Sequence, residues 1–347
     1  MTTRESSGNI LEDDAEAVVN TVNCVGVMGK GIALQFRQAY PANYRQYAIA
    51  CKHHVVRPGV MFTTETGKFG NPQYIINFPT KRHWRGKSRL EDIESGLAAL
   101  TAELTRLNVR TVAVPALGCG NGGLDWEVVR PLIIAAFDSV PHIELRLYSP
   151  AGAPAFSSLI VRTEQPALTP IRAALLRMMQ QYQVEGYRHS LLELQKLAYF
   201  LQVAGQSLRL RFTKAKYGPY AETLNHVLQR LEGHYIEGYG DRSRSSEITL
   251  TPNAVSSLRD FRFEPECLEQ LREIEALIQG YETPYGLELL ATVHWAATER
   301  PLAKPLWEDV ARYVSSWNAR KAKLFPAAHI RKAYERLESG GWLDRVA

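Results

Sequence analysis

The chain has 347 residues, 45% of them hydrophobic and 22% charged, with a formal net charge of +5. That composition excludes a disordered, collagen-like or disulfide-rich chain and leaves room for two globular domains. Residues 1–154 carry 16 basic and 14 acidic side chains and the remainder 25 and 22, so neither half is a polycation. Any nucleic-acid contact is therefore expected from a local patch.

The polar start MTTRESSGN carries no signal-peptide pattern, and no apolar run is long enough to span a bilayer. Cys24, Cys51, Cys119 and Cys267 lie far apart without a C-x-x-C pair, which predicts reduced thiols and a cytoplasmic protein. His53 and His54 are adjacent and share no helix face, and neither a metal nor a cofactor is expected.

Gly8 to Leu11 reads as a short strand and turn. Ala17 to Val19 reads as the end of a buried strand, with Asn20 and Asn23 where it leaves the sheet. Gly26, Gly29 and Gly31 make a loop of little bulk. Ile32, Ala33, Phe36 and Tyr40 then recur at helical spacing, and Pro41 stops the helix. Strand, glycine loop and helix can present backbone N–H groups to a phosphate, or can simply be a tight turn. The spacing is not G-x-G-x-x-G, and Lys30 is not followed by Ser or Thr, so neither the dinucleotide fingerprint nor the Walker loop fits. A carboxamide suits the hydroxyls of a ribose, or serves as a cap or turn residue.

Asn43 to Cys51 continues helical. Val60 to Thr64 and Tyr74 to Phe78 read as strands, the second ended by Pro79. Leu90, Ile93, Leu97, Leu100, Leu104 and Leu107 share one helix face. Thr111 to Pro115 is a strand, ALGCGNGGL (residues 116–124) a second glycine loop, Trp126 to Phe137 a helix and Glu144 to Tyr148 a strand. Alternating strands and helices predict a three-layer α/β/α sandwich with a mixed sheet over 1–152. Both glycine loops follow strands, so both are expected at the edge where such sheets bind ligands.

Residues 153–167 read as a linker rich in Pro, Ala, Ser and Thr, and 168–347 as a mostly α-helical domain. Amphipathic faces run through Ala174 to Tyr182, Leu191 to Leu201 and Leu268 to Ile278. AAHIRKAYERLESGGWL (residues 327–343) reads as a winged-helix-like end or a plain packing unit.

The strand ending VN-x-x-N, the glycine loop after it and the second loop, P-A-L-G then G-N-G-G, together resemble a macrodomain, an ADP-ribose-binding α/β module. The resemblance implies ADP-ribose contacts from Asn9, Ile10, Asn20, Asn23, Gly29, Lys30, Gly31, Ile32, Ala33 and Thr80. It implies further contacts from Gly118, Cys119, Gly120, Asn121, Gly122, Gly123, Leu124 and Tyr148, the last stacking on adenine. Where the family usually has aspartate for the adenine amino group, this chain has Asn9. With NFPTKRHWRGKSRLEDI (residues 77–93) added, residues 5–150 resemble the DarG family, antitoxins of the DarT–DarG system. That family removes ADP-ribose from thymidine bases of single-stranded DNA, and its essential lysine falls on Lys81. A related hydrolase pairs such a lysine with an aspartate in the second glycine loop. Here that loop has none, and Asp125 lies just outside it.

Lys81 could contact the distal ribose, stabilise charge or attack C1″ as an amine, which would need a pKa lowered by burial or by neighbouring cations such as Arg82 and Arg85. Arg82, His83, Trp84 and Arg85 suit phosphates and an unpaired base, or form a solvated turn with Trp84 packed on the first helix. LLELQKLAYFLQ and FTKAKYGPYAETL resemble a Panacea (SocA-like) antitoxin domain, and the DarG resemblance implies that the second half binds and blocks a DarT-type ADP-ribosyltransferase toxin. Glu264, Glu266, Glu269, Glu273 and Glu275 are candidates for an acidic face that imitates DNA. The expected partners are thus ADP-ribose, ADP-ribosylated single-stranded DNA and the toxin, with no membrane. The rival reading is a non-catalytic ADP-ribose reader joined to a DNA-binding or interaction domain.

Overall fold

The computed structural model describes residues 3–150, 160–182, 187–240, 247–299 and 305–346. The chain divides into two units, Met1–Glu164 and Gln165–Ala347.

The first unit is built on six strands: β1 (Thr3–Ser6), β2 (Ala17–Asn23), β3 (Phe62–Glu65), β4 (Tyr74–Lys81), β5 (Thr111–Val114) and β6 (Glu144–Tyr148). Their order is β1-β6-β5-β2-β4-β3, and every neighbour is parallel except β3, which runs antiparallel to β4. Strands buried on both faces read as continuous apolar runs, as Ala17–Val19 and Ile75–Ile76 do. Ala17, Val19, Ile76 and Phe78 pack under α3 (Leu90–Arg106) and α4 (Trp126–Asp138). Val18, Ile75 and Ala113 on the other face meet Phe36 and Ala39 of α1 (Gly31–Ala39). Val22 packs with Tyr47, Ala50 and Cys51 of α2 (Pro41–Lys52). This is the three-layer sandwich with a mixed sheet that the pattern predicts.

Pro79 does not end β4, which runs on to Lys81. β3 leaves β4 after Asn77, so from there β4 is paired with β2 alone, and a residue without an N–H is tolerated. The extra residues carry Lys81 level with Asn23, the last residue of β2, at the loop edge.

The expected linker, 153–167, lies outside the described residues as far as 159. Of the remainder, Ile160 packs on the first unit's core and Arg162 N–H bonds to the Gln38 carbonyl at 2.9 Å. Gln165, the first residue of the second unit, donates to the Tyr235 hydroxyl of that same unit at 2.8 Å.

The second unit is helical: α5 (Pro170–Tyr182), α6 (Leu191–Val203), α7 (Glu222–Leu231), α8 (Pro252–Asp260), α9 (Pro265–Ile278), α10 (Pro284–Thr298), α11 (Trp307–Trp317), α12 (Ala319–Leu324) and α13 (Ala327–Ser339). Two short antiparallel ribbons join them, β7 (Thr213–Ala215) with β8 (Gly218–Tyr220) and β9 (Ile236–Glu237) with β10 (Thr249–Leu250). α6 starts at a capping box, Ser190 with Glu193, and is buried along most of its length, as is α10. Among the described residues no strand follows α13, and Trp342 is buried edge-on against Phe200, so the winged-helix expectation gives way to a packing unit. No helix among the described residues is long and apolar enough to cross a membrane.

Candidate active site

The first glycine loop is folded by Asn23. Its side-chain oxygen accepts the N–H groups of Val25 at 3.0 Å and Val27 at 3.3 Å, and its amide donates to the Val27 carbonyl. Tyr47 anchors the same residue from below, donating its hydroxyl to the Asn23 carbonyl at 2.6 Å. The loop delivers Gly31, in the left-handed region at φ +53°, to the start of α1, whose first turn has no side-chain cap. The N–H groups of Gly31, Ile32 and Ala33 belong to that turn, the arrangement that suits an anion.

Asn20 and Asn23, expected at a ribose, also serve the scaffold. Asn20 lies on the same face of β2 as Val18 and Val22, fully buried, and donates to Asn77 at 3.0 Å. Asn77 in turn pairs with Asn43, which accepts from Thr64. The amide network ties the Asn20 amide nitrogen, and the Asx turn ties the Asn23 side chain, into the scaffold, while the Asn20 Oδ1 has no partner. Thr80 is likewise buried, its hydroxyl turned towards the Val22 carbonyl at 3.5 Å.

The second loop is closed on itself. Leu124 N–H bonds to the Gly118 carbonyl at 3.1 Å and Gly123 N–H to the Gly120 carbonyl at 3.0 Å. A Cβ on Gly122 would sit 2.2 Å from the Gly118 oxygen, so no side chain fits there. Gly120 faces open space. A Cβ on Gly31 would meet the Asn121 side-chain nitrogen at 3.2 Å, so the two glycine loops do face one another. Asp125 caps α4, accepting the Glu127 N–H at 3.0 Å, and its carboxylate is committed there. Burial, then the Asp125 charge, pushes the Cys119 thiol up to about 11, and burial does the same to Cys24, so neither is a thiolate at neutral pH.

Lys81, the last residue of β4, donates its ammonium to the main-chain carbonyl of Asn121. Burial, and after it the neighbouring charge of Lys30, holds its pKa below the ordinary lysine value. Burial is one of the two causes expected from sequence; Arg82 and Arg85, the cations expected as the other, are occupied elsewhere. Arg82 forms a bidentate pair with Asp92 at 3.0 and 3.2 Å. Arg85 lies over the Trp84 ring, 4.5 Å from its centroid. His83 stacks on the other partner of that pair, with centroids 5.6 Å apart and planes inclined by 28°. Trp84 is 38% exposed and stands in a cationic, flat-faced cluster.

At the far end of the cleft, Ile10 lies in a buried cluster against which Ile32 and Tyr148 pack. Asn9 caps the Ile10–Glu12 turn, accepting the Leu11 N–H at 3.0 Å. Tyr148 donates to Asp13 at 2.6 Å, and Asp13 is held by Arg146 at 2.7 Å, which fixes the ring.

The Macro domain family matches residues 19–133. A Thermus aquaticus protein named DNA ADP-ribosyl glycohydrolase is 46% identical over 348 residues, covering 97% of this chain and 95% of that protein. This chain belongs to the DNA ADP-ribosyl glycohydrolase family. The solved macrodomain of Mycobacterium tuberculosis DarG is 50% identical, covering 43% of this chain and 99% of that one, at a TM-score of 0.43. A Thermosipho africanus protein named as a fusion of DNA ADP-ribosyl transferase and DNA ADP-ribosyl glycohydrolase is 32% identical over 158 residues, covering 41% of this chain and 40% of its own.

Within this glycohydrolase family member, sequence reasoning missed Ser88, Asp13 and Ile160. Ser88 N–H bonds to the Gly122 carbonyl at 3.0 Å, a contact no spacing announces. Asp13 could have been suspected from its place just after the Asn9–Ile10 turn. The acidic face on α9 is partly neutralised: Glu273 pairs with Arg345 at 2.6 Å and Glu269 with Arg272 at 2.7 Å. Glu275 and Glu266 accept from Gln181 and Gln270, and Glu264 stands at the N-cap.

Proposed function

We propose that this protein hydrolyses ADP-ribose from thymidine bases of single-stranded DNA, and that Lys81 is the residue that acts at C1″. The observation that carries the reading is the placement of Lys81. It is a lysine of lowered pKa on the rim of two facing glycine loops, next to an exposed histidine–tryptophan–arginine cluster. The loops, with Gly29 to Ala33 on one side and Gly118 to Leu124 on the other, would hold the diphosphate on backbone N–H groups. Asn9, Ile10, Ile32 and Tyr148 would receive the adenine. His83, Trp84 and Arg85 would grip the strand by stacking and charge.

Lowered basicity favours the free amine. It would displace the thymine nitrogen from C1″, the thymine taking a proton, and water would then free ADP-ribose from the lysine. With Asp125 committed to a helix cap, no carboxylate of the second loop assists. Incubation with ADP-ribosylated single-stranded DNA should release free ADP-ribose and restore thymidine, and failure to release it from such DNA contradicts the reading.

For the second unit we propose toxin blockade. The relative that joins a transferase to a glycohydrolase in one chain supports such a partner. Titrating DarT-type toxin, NAD and single-stranded DNA with the Lys81→Ala protein separates blockade from reversal. Blockade should stop modification at a stoichiometric ratio, and modification that persists at any excess removes it from the account.

A further inference from the structure

The loop from Arg82 to Arg89 is tied at both ends to consecutive carbonyls of the second glycine loop. At its start Lys81 donates to the Asn121 carbonyl, and near its end Ser88 N–H donates to the Gly122 carbonyl at 3.0 Å. Ser88 is buried, 7% exposed, and its hydroxyl has no partner. What its side chain does is fill a notch. A Cβ on Gly122 would lie 2.3 Å from its Oγ, and one on Gly118 3.1 Å from its Cβ. Neither loop can shift past Ser88 without the other. The DNA-gripping cluster, the expected diphosphate cradle and the lysine are thus one mechanical piece.

We propose that Ser88 is a positioning residue which makes these two loops move together, so that polynucleotide held at His83–Arg85 sets the place of Lys81. This rests on the glycohydrolase reading above and adds a selectivity to it. ADP-ribose attached to a strand is hydrolysed with a higher kcat, beyond any gain in binding, than ADP-ribose on an isolated thymidine nucleoside. A misplacement of about 1 Å at a reacting group can cost on the order of a hundredfold, so a loop-to-lysine linkage of this kind is enough to set the ratio.

The test measures kcat and KM of the full chain on an ADP-ribosylated oligonucleotide and on ADP-ribosyl thymidine. The kcat ratio should be about tenfold or more for the natural protein. Ser88→Val, whose branched side chain overfills the notch, should bring the ratio to about one while ADP-ribose affinity by calorimetry changes less than about threefold. Ser88→Ala keeps the Cβ and the backbone N–H and should restore the ratio. A purely structural role would lower both substrates and ADP-ribose affinity together, and that outcome overturns the proposal. So does a natural protein with equal kcat on the two substrates. If Ser88→Val fails to fold, Trp84→Ala at the exposed end of the linkage should also bring the two kcat values together, and a ratio it leaves intact overturns the proposal. No release from either substrate by the natural protein overturns the glycohydrolase reading itself, and this inference with it.

Discussion

Lys81, at the end of one strand, donates to the main-chain oxygen of Asn121, at the tip of a loop that follows another. The bond brings the lysine proposed to act at C1″ onto the loop expected to hold the diphosphate. Lys81→Ala should lower turnover on modified DNA by roughly a hundredfold to ten-thousandfold, the range typical of a lost catalytic group. The circular dichroism spectrum and ADP-ribose affinity should stay close to those of the natural protein. Near-normal turnover would move the chemistry to the loops.

The depressed pKa gives this a pH signature. Its causes are burial and then Lys30, both of which disfavour the ammonium. The free-amine fraction rises with pH through that lowered pKa, so kcat should climb with pH and level off below the ordinary lysine value of 10.5. Lys30→Gln removes a like charge and should move the rising limb to higher pH. A pH–kcat profile that falls over this range would assign Lys81 an electrostatic role instead.

The two loop glycines Gly120 and Gly122 should behave differently. A Cβ on Gly122 collides with the Gly118 oxygen at 2.2 Å, so Gly122→Ala should destabilise the first unit. Gly120 has nothing within 4 Å of its Cβ position, so Gly120→Val should leave unfolding almost unchanged while weakening ADP-ribose binding measured by calorimetry. Equal affinity in Gly120→Val would place the ligand elsewhere.

The scaffold under the first loop can be tested at Asn23. Asn23→Ala leaves the Val25 and Val27 N–H groups of this part-exposed loop without their acceptor, at about 0.5–1.5 kcal/mol for each bond lost. Both chemical stability and ADP-ribose affinity should fall. A variant that loses affinity alone would return Asn23 to direct ribose contact.

In the second unit Lys196 is buried on α6, donates to the Pro219 carbonyl at 2.6 Å and is held down to about 7 by burial, then by Lys321. Its folded pKa lies below its unfolded value of 10.5, so between these two pH values the unfolded chain binds the additional proton. Stability therefore rises with pH across that window and is lost as pH falls through about 7. Hydrogen exchange of α6 and α10 should slow from pH 7 to 9 once corrected for intrinsic rates. Lys196→Met should flatten that change, and an unchanged slope would assign it to other groups.

Most of the first unit was readable from periodicity and punctuation. β2, β5, β6, α3 and α4 follow apolar runs, glycine loops and caps that are local. What was not readable depends on direction within doubly buried strands. Asn20 and Thr80 sit at a strand's ligand edge in sequence, but a strand apolar on both faces gives no sign of which side chains turn inward. Pro79 ended a strand on paper because the early departure of β3 is a tertiary fact. The partners of Arg82 and Lys81 likewise come from distant segments, Asp92 on α3 and Asn121 on the second loop. Charge proximity along the chain pointed to Arg82 and Arg85 as the perturbing cations, whereas the fold supplies Lys30.

The central claim is that Lys81 removes ADP-ribose from DNA, and the mass of a modified oligonucleotide tests it most directly. A single-stranded oligonucleotide carrying one ADP-ribosyl thymidine is incubated with the natural protein and with Lys81→Ala, and its intact mass is followed. The account predicts return to the unmodified mass with the natural protein and persistence of the full adduct with the variant. An adduct that survives the natural protein, or is lost equally with Lys81→Ala, would contradict it.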